Sequence, residues 1–114
     1  MALLAMAIPI LPGKTEQWRR FAADLNGSRR ADYLASRQRL GVRERAFLQS
    51  TQQGDLAIVT LDGADPASAL SQFGASGDPF TEWFRAQVLE IHGFDLARPM
   101  SGPLPDLVID SQPG

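Results

Sequence analysis

The sequence predicts an α+β domain, and three observations carry that prediction. Residues 3–10 form an almost unbroken apolar run, which suits a central strand covered on both sides. Residues 42–62 alternate with a period of two about one turn, which is the signature of a hairpin. Asp65-Pro66 and Asp78-Pro79 each set a capping acid before a proline at the first helical position. At 114 residues the natural count is one domain, 1–114, long enough to bury a single core without staples.

The elements follow in order. Pro12 and Gly13 break the first strand, and a helix runs from about Lys14 to Asn26 with Trp18, Phe21 and Leu25 on one stripe. Asn26-Gly27 is a helix stop and Ser28 a new N-cap, so a second helix runs to about Leu40 and ends at Gly41. In "VRERAFLQST", Arg43, Arg45, Phe47 and Gln49 face one way, and Val42, Glu44, Ala46 and Leu48 the other. "QQGD" turns the chain and "LAIVTLD" returns as the next strand. Helices then start at Pro66, to about 73, and at Pro79, to about 91, the longer burying Phe80, Phe84, Val88 and Ile91. Gly93 ends it, and "DLVID" at 106–110 reads as a last short strand. The order is βαββαβ with each helical connection broken. That is the split βαβ, ferredoxin-like arrangement, an antiparallel sheet with the first and third strands central and helices on one face. The other face would be bare and apolar, so a two-fold homodimer packing sheet on sheet is expected.

Composition narrows the function classes. There is no cysteine, which excludes disulfides, thiolate metal sites and a cysteine nucleophile, and fits a cytoplasmic protein. "MALLAMAIPIL" lacks a basic leader and falls short of a membrane span, so it reads as a strand and no membrane partner is expected. The net charge of −2 argues against nucleic acid. The charge is uneven: residues 14–45 hold nine Lys/Arg against four Asp/Glu, and residues 46–114 hold two against nine. Complementary faces for self-association, an anionic-ligand site, or simply solvated helix faces all account for this.

Two motifs imitate other functions. Gly13-Lys14-Thr15 after an apolar run resembles a phosphate-binding loop, but the required glycine five residues earlier is Ile8. Pro9 and Pro12 also remove N–H groups that such a loop must present. RNA recognition modules share the element order but stack bases on strand aromatics, and neither 3–10 nor "LAIVTLD" has one. His92 is the sole histidine and the carboxylates are scattered, so no metal site and no cofactor are expected.

With "IPILPGKTEQWRRF" after the first strand and "DPFTEWFRAQVLEIHGFDL" as the last helix, the chain resembles the dimeric α+β barrel superfamily over about residues 3–110. "SRQRLGVRERAFLQ" and "EIHGFDL" are similar to a family of small uncharacterised bacterial proteins in or near that group. The superfamily includes cofactor-free monooxygenases, haem-degrading enzymes, muconolactone isomerases, sugar mutarotases and pure ligand binders, many with a cleft between sheet and helices. The resemblance therefore implies a fold and a cleft. It carries over no catalytic set, because the reacting residues differ between members.

The residues themselves offer candidates, each with a plainer alternative. His92 is either a general acid/base or a residue of the last helical turn that suits the dipole. Arg43 and Arg45 form an anion-binding fork or pair with acids across a dimer. Arg30, Tyr33, Arg37 and Leu40 share a helical stripe that either lines a mouth for an anionic aromatic ligand or snorkels over the core. Trp83 and Trp18 either wall a cleft or belong to the core or the dimer seam. The expectation is a dimeric, cofactor-independent enzyme, monooxygenase- or isomerase-like, acting on a small anionic or aromatic molecule. The alternative is a non-catalytic ligand-binding or regulatory module.

Overall fold

Two ten-residue strands, β2 (Val42–Thr51) and β3 (Gly54–Gly63), form the hairpin around which the molecule is organised. The turn between them is only Gln52-Gln53, and the Thr51 hydroxyl closes it, donating to the Gly54 carbonyl at 2.6 Å and accepting from the Gln53 N–H at 3.2 Å. β1 (Ala2–Pro9) pairs antiparallel with the other side of β3, Ala2 opposite Gly63 and Pro9 opposite Leu56. The sheet order is β1-β3-β2. These elements belong to a computed structural model, which describes residues 2–75, 77–98 and 104–112.

Register sorts the side chains onto two faces. Met6, Ala57 and Leu61 point inward and are buried. Leu3 and Phe47 point outward and remain 50% and 56% exposed. Four helices cover the inner face: α1 (Thr15–Asn26), α2 (Arg30–Leu40), α3 (Pro66–Ala75) and α4 (Pro79–His92). Their apolar stripes meet in one core of Ile10, Phe21, Phe73, Phe80, Phe84, Val88 and Ile91. Phe21 and Phe84 lie 5.1 Å apart, ring to ring, and Phe73 and Phe84 5.2 Å, within the range that aromatic pairs favour.

The caps explain the helix boundaries. Asp78 accepts from the Thr81 N–H at 3.1 Å and from its hydroxyl at 2.6 Å, and Asp65 accepts from the Ser68 N–H at 3.1 Å. The second helix departs from expectation: its N-cap is Arg29, with no side-chain cap, rather than Ser28. The Asp24 carbonyl accepts from both the Gly27 and Arg29 amides, so a backbone turn does what the serine was expected to do. Gly41 ends α2 in the left-handed region at φ 70°, a conformation that costs a side-chain-bearing residue energy, and β2 begins at the next residue. That corner presses on the end of β3, where a Cβ on Gly63 would stand 2.3 Å from the Gly41 carbonyl oxygen.

Two sequence expectations are corrected. Residues 104–110 carry no strand, and Leu107, Val108 and Ile109 are 66%, 84% and 83% exposed. Among the described residues the sheet therefore has three strands, and β1 is an edge rather than a central strand. β-Propensity in "DLVID" made a strand legible there, but a strand exists only where an edge receives its hydrogen bonds. The coarser reading stands: an α+β chain with an antiparallel sheet and helices on one face, compatible with a ferredoxin-like arrangement.

Candidate functional site

Between the inner sheet face and the helices lies a cavity of about 780 Å³. Met6, Ile8, Val59 and Leu61 form its floor, and Phe21 and Phe84 face them from α1 and α4. The volume falls in the range of small-molecule sites, and the walls are mainly apolar, as such sites are.

One wall carries a polar cluster. Tyr33 and Arg37 are a turn apart on α2, so both side chains reach the same spot. Glu44, two residues into β2, meets them. The Tyr33 hydroxyl donates to Glu44 Oε1 at 2.5 Å, and Arg37 Nη2 donates to the same oxygen at 3.1 Å. Arg37 Nη1 donates to the Ser36 hydroxyl at 2.9 Å. The Arg37 guanidinium is only 5% exposed and stacks on Phe73 at 4.1 Å, Tyr33 at 4.7 Å and Phe84 at 4.8 Å. A buried cation needs this combination of a carboxylate partner and aromatic faces. Arg37 Nε is buried without a hydrogen-bond partner. Burial and then the Glu44 carboxylate push the Tyr33 phenol above its ordinary 10.0, against the opposing effect of Arg37, so Tyr33 is a permanent donor at neutral pH.

His92 borders the same cavity from the end of α4. Its Nδ1 lies 2.9 Å from the Pro9 carbonyl oxygen, which can only accept, so Nδ1 carries the proton and Nε2 keeps a lone pair. Burial holds the imidazole below its ordinary 6.5, partly offset by the Pro9 hydrogen bond. Desolvation is the larger of these two influences, so the neutral imidazole is favoured.

The sequence-derived candidates divide. Tyr33, Arg37, Arg43 and His92 all border the cavity, with Arg30 and Trp18, although by register Arg43 shares the outer side of the edge strand β2 with Arg45. Arg45 does not: it lies on the outer sheet face, donating to Asp62 at 2.9 Å within its own chain. Trp83 stands outside as well, packed on Phe21 at 5.5 Å and Phe80 at 5.8 Å, with the Arg29 guanidinium 4.0 Å over its ring. Its place is the core, one of the two plainer readings of that residue.

Glu44 was not singled out from sequence. The signal was its position, a lone carboxylate alternating with Val42, Ala46 and Leu48 on the face that turns inward. Phe94 and Leu96 also join the wall, after α4 has ended. The loop at Gly13-Lys14-Thr15 has other partners than phosphate: the Leu11 N–H donates to the Ile91 carbonyl at 2.8 Å, the Lys14 N–H to the Leu11 carbonyl at 3.0 Å, and the Thr15 hydroxyl to Asp55 at 2.6 Å. Among the described residues no cluster of His, Asp and Glu has the form of a metal site, and no helix is long and apolar enough to cross a membrane. Comparison with protein-family models, with curated proteins and with solved structures gave no match.

Proposed function

We propose that this chain binds a small anionic organic molecule with an apolar, aromatic-sized body, and that it does so as a homodimer. One observation carries the ligand class: the apolar cavity is bordered by three arginines, Arg30, Arg37 and Arg43, against the single carboxylate of Glu44. Arg37 is matched by Glu44, so the excess positive charge belongs to Arg30 and Arg43 at the exposed rim. An apolar body would displace water from the walls while its anionic end met the rim. The second copy is supported by the outer sheet face, where Leu3 and Phe47 stand exposed.

Isothermal titration with 2-naphthoate and with its neutral amide tests the ligand class. The expected result is at least about tenfold tighter binding of the carboxylate, with that preference lost in Arg43→Gln. Equal affinity for the two probes, or no binding of either, overturns the reading.

A second reading is favoured by His92. A neutral imidazole with Nδ1 held by Pro9 and a lone pair on Nε2 is a general base in waiting, in a cavity whose lining also includes arginines. In that reading the chain is a cofactor-independent enzyme that removes a proton from the bound molecule. Solvent-deuterium incorporation into a bound ligand, lost in His92→Gln with binding retained, distinguishes enzyme from binder.

A further inference from the structure

The two edges of the sheet are built differently. β2 carries Arg43, Glu44 and Arg45, charges of the kind that guard an edge against pairing. β1 has no charged residue from Ala2 to Pro9 and, among the described residues, pairs on one side only, with β3. Every second backbone N–H and C=O along its outer side is thus a template for another strand. The same chain holds an extended segment of matching character. Residues 104–110 lie outside any regular element, with Leu107, Val108 and Ile109 66%, 84% and 83% exposed. Three strand-favouring apolar residues in succession, bounded by Asp106 and Asp110, are at odds with standing in water.

We infer that residues 106–110 of one copy add as a fourth strand to the outer edge of β1 in a second copy, and that the exchange is mutual. Among the described residues of a single copy, neither the outer edge of β1 nor residues 106–110 has a strand partner. Phe94 and Leu96, packed against the core, hold the chain leaving α4 on the cavity wall. A two-fold exchange fills both β1 edges and covers both apolar segments at once, and it closes without leaving a site for a third copy. This inference rests on the homodimer proposed above and adds the strand that joins its two halves.

The cysteine-free chain makes the test clean. Ala5→Cys and Val108→Cys variants are prepared separately, mixed after unfolding and refolding, and treated with a short bis-maleimide. The expected product joins the two different variants at about twice 12.4 kDa. Light scattering on the unmodified chain separates the two ideas. A monomer overturns the homodimer and the exchange together. A dimer in which the two variants fail to cross-link overturns the exchange alone. A double Ala5→Cys, Val108→Cys variant that cross-links only within one chain also overturns the exchange and assigns the strand to its own sheet.

Discussion

The Arg37 guanidinium lies over the rings of Phe73 and Phe84, and Glu44 is the carboxylate that keeps a charge there. Removing one partner of such a pair leaves the other buried and uncompensated. Glu44→Ala is therefore expected to destabilise the fold by roughly 3–5 kcal/mol in urea unfolding, whereas the paired change Arg37→Met with Glu44→Leu costs less than the single one. His92 gives a pH prediction. Its folded-state pKa lies below 6.5, so in that window the unfolded chain binds the extra proton. Stability from this group is complete above pH 6.5 and falls as pH drops through the folded value. Unfolding midpoints measured from about pH 7.5 to about pH 5 should decline more steeply in the unmodified chain than in His92→Gln. Of these residues, Tyr33 and Arg37 were legible from the spacing of the second helix. Glu44 was not, because a carboxylate on an alternating strand acquires meaning only when the opposing helix supplies a cation.

At the scale of the elements, local chemistry set most boundaries. Asp78 caps α4 through Thr81, and Arg39 lies 3.8 Å from its carboxylate. Asp78→Ala should cost about 1 kcal/mol, with the loss seen equally by far-UV and tryptophan signals if unfolding is two-state. The corner where Gly41 meets Gly63 is a sharper constraint. Gly63→Ala places a methyl against the Gly41 carbonyl, which is backbone and cannot swing aside. A loss of about 2 kcal/mol or more is expected in the same assay; a neutral effect would mean that the α2–β2 corner gives way easily. The seven helices and strands among the described residues were readable from apolar spacing, Asp-Pro pairs and glycine stops. The strand expected at 106–110 was not there to be found in one copy, since its hydrogen-bond partners come from outside the segment.

For the whole molecule the outer sheet face is the surface on which the proposed dimer rests. Leu3 and Phe47 lie there in a setting that also holds the Arg45–Asp62 pair. Phe47→Asp is expected to convert the proposed dimer to monomers in light scattering while leaving the far-UV spectrum unchanged, because that side chain is absent from the inner core. Dimers that persist would move the interface elsewhere.

The sequence by itself determined the α+β class, the starts of α3 and α4, the glycine stops of the helices, the presence of the hairpin and the two faces of β2. These follow from interactions within a few residues along the chain: apolar periodicity, caps and backbone conformation. Only the tertiary structure decided that Arg45 and Trp83 lie away from the cavity while Arg43 and Glu44 border it. It alone decided too that burial lowers the His92 pKa, and that among the described residues β1 has a strand partner on one side only. Those outcomes depend on which residues distant in sequence are brought together, and on how much water remains between them.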